Sequence, residues 1–183
     1  MTRVLITGAG RGIGAACALA YAGSGARLAL ADLCAPEATA QQARAAGAAD
    51  VLSCGCDVAD SSAVTGMVQQ VEAAFGGLDI LVNNAQEVPL GPLDSVSDEA
   101  FAAGFDSGPL ASYRLMKLAR PHMVRRGGGS IFNFASSAGV RWDMAGYGAY
   151  AAVKQAIRAL TRAAASEWGP DNIRVLTIAP HAE

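Results

Sequence analysis

The run RVLITGAGRGIG, residues 3–14, decides how the rest of the chain reads. Val4, Leu5 and Ile6 make a short apolar strand that ends in a glycine cluster, and the Ala-rich segment GIGAACALAYAGSG that follows has the composition of a helix stopped by Gly-Ser-Gly. Gly8 permits the tight turn, Gly12 lets the backbone come close to a pyrophosphate, and Gly14 lets the helix pack against the sheet. Unpaired amides at the helix start would attract the anion. Glycine-rich turns also serve plain strand-to-helix connections. With a strand before it and a helix after it, the turn built from Gly8, Gly10, Arg11, Gly12, Ile13 and Gly14 reads as dinucleotide-binding.

Outward from this turn, short β-rich runs alternate with helical stretches. Strands are expected at 26–32, 50–54, 78–84, 130–136 and 173–179, with long helical regions at about 98–126 and 148–168. Each strand is a nearly continuous apolar run of the kind buried on both faces, and a helix separates each from the next. That rhythm predicts an α/β fold of the doubly wound type: an open parallel sheet covered by helices on both sides. Ligands would lie across the C-terminal edges of the strands. Asp32 ends the second strand, eighteen residues after Gly14. A carboxylate there can accept hydrogen bonds from the ribose hydroxyls of an adenosine and would repel a 2′-phosphate, which favours NAD over NADP. The lesser alternative is that Asp32 merely begins its loop and caps the next turn, and Arg11 beside the turn could partly neutralise a phosphate.

The composition narrows the classes. A chain of 183 residues with 52% hydrophobic and 16% charged residues suits one densely packed domain. A formal net charge of −2 and a pI near 5.7 supply no basic field for nucleic acid. No stretch reaches membrane-spanning length, and MTRVLITGAG enters a strand with no leader or lipidation signal, so a soluble cytoplasmic protein is expected. Cys17, Cys34, Cys54 and Cys56 lack a second ligand cluster and read as thiols in a reducing compartment, with no metal site.

Lys117 and Lys154 are the chain's two lysines, and each follows a tyrosine by four residues, in YRLMK and YAAVK. That spacing puts both side chains on one helical face, where an ammonium can favour a phenolate. The pair alone does not say which tyrosine matters.

Taken together, TGAGRGIG, CDV after the third strand, NNA after the fourth, and a serine followed by Tyr-x-x-x-Lys after the fifth resemble the short-chain dehydrogenase/reductase family over essentially the whole chain. The resemblance implies a Rossmann-type sheet of six strands in the order 3-2-1-4-5-6. It implies that Asp57 and Val58 flank the adenine, that Asn84 and Ala85 line the cofactor cleft, and that Pro180 also touches the cofactor. Tyr150 becomes the general acid/base, Lys154 holds the nicotinamide ribose and supports the phenolate, and a serine orients the substrate carbonyl. The motif FNFASSAG, matched from the strand side, selects Ser136; an interval of thirteen counted back from Tyr150 selects Ser137. The strand-side match is preferred, because a loop tolerates an extra residue better than a buried strand does.

The chain departs from the family pattern at Gln86, where a glycine is usual, at Gly108, where the family has an asparagine, and at His181, where it has a glycine. It also ends before the family's substrate lid and seventh strand. Trp142 and Met144 are candidate substrate-wall residues, and His122 reads as a cap or packing group. The resulting expectation is an NAD-dependent oxidoreductase that interconverts a secondary alcohol and a ketone, working as a homodimer or homotetramer. The alternative is a non-catalytic nucleotide-binding or interaction module on the same fold.

Overall fold

The computed structural model describes residues 1–140 and 145–181. Trp142 and Met144 lie outside the described residues. The chain order is β1 (Arg3–Thr7), α1 (Gly12–Ala22), β2 (Arg27–Asp32), α2 (Glu37–Ala45), β3 (Asp50–Gly55), α3 (Ser61–Phe75), β4 (Ile80–Asn83), α4 (Asp98–Phe105), a π-helical turn (Asp106–Leu110), α5 (Ala111–Arg125), β5 (Gly129–Phe134), a short 3-10 turn (Ser137–Gly139), α6 (Gly148–Trp168), a second 3-10 turn (Gly169–Asp171) and β6 (Ile173–Ile178).

The six strands pair in parallel in the order β3-β2-β1-β4-β5-β6. Side chains alternate across the sheet, as the two-residue strand period requires. Val4 and Ile6 of β1 join Leu28, Leu30, Ala18, Ala22 and Ala40 on the face covered by α1 and α2. Leu5 turns the other way and joins Val64, Val68, Leu81, Leu115 and Ile131 under α3 and α5. The alanines of α1 and α2 let those helices sit close to the strands. Strand β6 forms one edge of the sheet among the described residues, and its Leu176 and Ile178 are exposed.

Local signals explain the helix limits. Asp60 caps α3 by accepting from the Ser62 and Ala63 amides at 2.7 and 3.3 Å, and Gly76 closes the helix in the left-handed region at φ 72°. Ser97 caps α4 through the Ala100 amide at 3.2 Å. The single helix expected over 98–126 is interrupted by the π-helical turn. Pro109 within that turn has no N–H to donate, so the hydrogen-bond ladder changes register there. The strand expected at 78–84 is shorter, Ile80–Asn83, and the one expected at 130–136 stops at Phe134, which leaves both candidate serines beyond the strand.

A buried polar ladder ties the sheet to α6. The Asn83 side-chain amide donates to Asn133 Oδ1 at 2.7 Å, Asn133 Nδ2 donates to Thr161 Oγ1 at 2.9 Å, and the Thr161 hydroxyl donates to the Ile157 carbonyl at 2.7 Å. Asn133 is fully buried. Groups this deep are costly when left without partners. Replacing Asn133 with alanine should therefore lower the unfolding free energy in urea by roughly 2–4 kcal/mol. A loss under about 0.5 kcal/mol, the range of an ordinary surface change, would contradict the ladder's role.

Candidate active site

The site forms where β1, β4 and β5 end, between the start of α1 and the middle of the sheet. Two contacts set the turn after β1. A Cβ at Gly14 would stand 2.0 Å from the Gly8 carbonyl oxygen, and one at Gly8 would stand 2.7 Å from Asn84 Nδ2. Gly8 also has φ 66°, a backbone state that suits glycine. The Asn84 side-chain amide donates to the Thr7 and Gly8 carbonyls at 3.2 and 3.1 Å, while the Thr7 hydroxyl accepts from the Asn84 and Ala85 amides at 3.1 and 3.2 Å. Thr7 and Asn84 thus lock the loop after β4 to the glycine turn. Thr7 was not singled out by the sequence reading, because a threonine ending a strand carries no signal of its own.

The start of α1 fits an anion. Unlike α3 and α4, this helix has no side-chain cap: Arg11 at its N-cap makes no capping bond. Gly12 has φ 58°, and a Cβ there would meet nothing within 4 Å. The first-turn amides therefore face an open cradle of the kind a pyrophosphate takes. Ile13 and Arg11 are exposed beside it.

Asp32 sits at the end of β2, across the turn. Its Oδ2 accepts from the Gly10 amide at 2.8 Å and its Oδ1 from the Leu33 amide at 2.9 Å. The capping and ribose-binding readings are thus compatible, because each carboxylate oxygen keeps a further lone pair for a ligand hydroxyl. Asp57 follows β3, where its Oδ1 accepts from the Ala59 amide at 2.9 Å, and Val58 beside it is buried.

Lys154 is buried on α6, and its Nζ donates to the Phe134 carbonyl at the end of β5 at 2.7 Å. Burial pushes the ammonium down to about 8. The Nζ lies 5.5 Å from the centroid of the Tyr150 ring, and Tyr147 packs edge-on to that ring with centroids 6.1 Å apart. Gly139 packs against the lysine stem: a Cβ on it would be 3.1 Å from Lys154 Cβ. The other tyrosine–lysine pair differs in environment. Tyr113 and Lys117 are both exposed on α5, with Lys117 Nζ 5.9 Å from the ring centroid.

The two serines occupy different settings. Ser136 is extended and caps the 3-10 turn by accepting from the Ala138 amide at 3.2 Å, which leaves its O–H to donate. The Ser137 hydroxyl lies 2.9 Å from His181 Nδ1, and the Ser137 amide donates to the Pro180 carbonyl at 3.1 Å. Pro180 therefore stands beside the serine turn. His122 is buried in the last turn of α5, with Nδ1 3.4 Å from Glu72 Oε1 on α3 and 2.8 Å from Arg125 Nη2, and so packs helices together.

Gln86 follows Ala85, and its side chain lies against the π-helical turn. A Cβ on Gly108 would be 3.2 Å from Gln86 Cδ and Nε2, and 2.9 Å from Val153 Cγ1. A cavity of about 310 Å³, lined by residues such as Asp79, Ser130 and Arg174, lies at the opposite edge, where strands begin, and does not belong to this site. Among the described residues, no cluster of His, Cys, Asp or Glu could hold a metal, and no helix is long and apolar enough to cross a membrane.

Residues 2–182 match the model of the short chain dehydrogenase family. The D-threitol dehydrogenase of Mycolicibacterium smegmatis is 38% identical over 178 residues, covering 96% of this chain and 68% of that protein. The galactitol 2-dehydrogenase of Agrobacterium fabrum is 38% identical over 177 residues, again covering 96% and 68%. The crystal structure of NAD+-bound xylitol dehydrogenase superposes with a TM-score of 0.92 at 35% identity, over 98% of this chain and 69% of that one. The cradle at α1, the sheet order and these relatives together have one conclusion: the chain belongs to the short-chain dehydrogenase/reductase family of NAD(P)-dependent oxidoreductases.

Proposed function

We infer that this domain oxidises a secondary alcohol to a ketone, or runs the reverse reaction, with NAD as its cofactor and Tyr150, Lys154 and Ser136 as its working groups. One observation carries the reading: a buried lysine, 5.5 Å from a tyrosine ring, is held by a backbone carbonyl at the end of β5. An ammonium is not placed in a protein interior for stability, since burial opposes its charge. The relatives named for threitol, galactitol and xylitol point to a polyol or a similar small secondary alcohol. They favour this reading over a non-catalytic module.

The turn residues Gly8, Gly10, Arg11, Gly12, Ile13 and Gly14 would hold the pyrophosphate, with the α1 amides donating to it. Asp32 would accept from the adenosine ribose, Asp57 and Val58 would flank the adenine, and Asn84, Ala85 and Pro180 would border the nicotinamide. When bound, NAD supplies the hydride acceptor. Tyr150 takes the hydroxyl proton, or returns it in the reductive direction. Lys154, still largely protonated at pH 7, steadies the phenolate and offers its remaining N–H groups to the ribose. Ser136 donates its O–H to the substrate oxygen and so orients it; Ser137, engaged with His181, is the second candidate. The unit acts as a single dinucleotide-binding domain, and the exposed Leu110 and Tyr113 along the π turn and α5 suit pairing with a second copy.

Three outcomes test this. NADH formation should appear with threitol, xylitol or galactitol and fall at least about 100-fold in Tyr150→Phe, the usual scale of acid–base catalysis; undiminished turnover in the variant would remove Tyr150 from the mechanism. Asp32→Asn keeps an acceptor for the Gly10 amide but loses the charge, so the preference for NADH over NADPH in fluorescence titrations should shrink by about tenfold, equivalent to about 1.4 kcal/mol. An unchanged ratio would mean Asp32 does not read the ribose.

The third concerns stability. Because the folded state holds Lys154 at about 8 rather than the ordinary 10.5, the unfolded chain binds more protons between those values, and this residue's penalty fades as pH rises through that window. Lys154→Met should therefore be more stable than the parent by roughly 1–3 kcal/mol at pH 7, converging with it near pH 10.5. A variant less stable at pH 7, or a difference independent of pH, would show that the buried charge carries no such cost.

A further inference from the structure

His181 stands where the family pattern has a glycine, and nothing in the chemistry proposed above uses it. Its Nδ1 lies 2.9 Å from the Ser137 hydroxyl, 44 positions away in the chain. The bond holds in either direction, since a hydroxyl can donate to a bare ring nitrogen or accept from a protonated one.

The contact ends a run of bonds between the β5 and β6 sides. Within the sheet Phe134 pairs with Ile178. Beyond the strands the Ala135 amide donates to the Ile178 carbonyl at 2.8 Å, and the Ser137 amide donates to the Pro180 carbonyl at 3.1 Å. Pro180 has no N–H to offer in return. The next bond across is made by a side chain, between His181 and Ser137. Ser137 is therefore held at its amide and at its hydroxyl by two consecutive residues after β6.

A hydroxyl this close to an imidazole is also the arrangement of a nucleophile and its base. Acyl transfer would further need free N–H groups for the developing oxyanion. The turn has none to give. Ser137 donates to Pro180, Ala138 to Ser136 Oγ at 3.2 Å, Gly139 to the Ser136 carbonyl at 3.1 Å and Val140 to the Ser137 carbonyl at 2.8 Å. The pair is thus suited to holding rather than to hydrolysis. What it holds is the turn that presents Ser136, whose Oγ is fixed by the Ala138 amide and so moves with residues 137 and 138.

We propose that His181 is a positioning residue for the serine turn: its imidazole engages the Ser137 hydroxyl, anchors the turn to the end of β6, and leaves Ser136 as the serine that meets the substrate. The part given to Ser136 rests on the oxidoreductase reading, while the anchor stands on the contacts alone. A glycine at 181 would offer no side chain, so the Ser137 hydroxyl would be free and the turn would keep only the backbone bond to Pro180.

Two measurements on the whole chain test this. With 15N-labelled histidine the protein gives imidazole signals from two residues, and His122 on α5 serves as reference for His181. Ser137→Ala should shift the His181 Nδ1 resonance in long-range proton–nitrogen NMR and leave His122 in place. Unmoved His181 signals would mean that the bond does not form, and the proposal fails.

The second measurement is alcohol turnover. Ser136→Ala should cost at least about 100-fold, and Ser137→Ala and His181→Gly about tenfold each, because a displaced turn misaligns the serine it carries. His181→Asn, whose side chain can place a polar atom where Nδ1 stood, should recover most of that loss. The double variant Ser137→Ala with His181→Gly should lose no more than either single one. Losses that multiply, or a Ser137→Ala variant as damaging as Ser136→Ala, would overturn the shared anchor. A parent chain with no alcohol turnover would sink the oxidoreductase reading, and with it the part given to Ser136; the histidine signals would still decide the anchor.

Discussion

The site depends on how closely three backbones meet. The end of β1, the start of α1 and the loop after β4 converge with no space for a side chain at Gly8 or Gly14. Thr7 and Asn84 close the junction with reciprocal hydrogen bonds, so a hydroxyl and an amide fix the distance that the glycines permit. Everything downstream inherits this geometry. The uncapped amides of α1 face outward because the turn delivers them there, and Asp32 reaches the turn because β2 lies next to β1 in the sheet. The parallel order of the strands then brings the ends of β4 and β5, and with them Asn84 and Phe134, to the same edge.

On this frame the protein carries a charge that its stability opposes. Lys154 is buried, with its ionisation lowered by desolvation, and it is held by a single carbonyl among the described residues. The choice of lysine in a chain otherwise rich in arginine has a physical reason. A guanidinium is planar, offers five donors and stays charged; it would need a wider acceptor set than the end of β5 provides. An ammonium makes one strong contact with the Phe134 carbonyl and leaves its other donors free. The serine turn packs directly against the lysine stem, and a Cβ at Gly139 would crowd it.

Much of this was legible in the residues. Continuous apolar runs such as VLI in β1 and the glycine spacing after it are sufficient to call a parallel sheet with a dinucleotide turn, because both effects are local and steric. Tyr150 and Lys154 could be paired by helical spacing, yet so could Tyr113 and Lys117; the serine motif after the fifth strand favours the first pair, and burial of Lys154 against an exposed Lys117 separates them physically. The difference in burial depends on which face of each helix meets the sheet. What stayed hidden were groups that act through distant partners. Asn83, Asn133 and Thr161 form one ladder from three elements, and nothing in their local sequence marks them as bonded. The π-helical turn was also missed, although Pro109 inside a helical stretch was the available sign.

Gln86 and Gly108 show why departures from a pattern are better read in pairs. Taken singly, a glutamine beside the cofactor cleft suggests obstruction, and a glycine in a long helix suggests a lost side chain. In the folded chain the glutamine turns into the space the glycine leaves, and each residue explains the other. A Cβ at 108 would stand 3.2 Å from the Gln86 amide, so the two positions share one space. A close-packed interior couples two such positions, because a larger side chain at 108 would crowd both the glutamine and Val153. The amide that results is buried and without a protein partner, which is the kind of local strain that persists where a site's chemistry compensates for it.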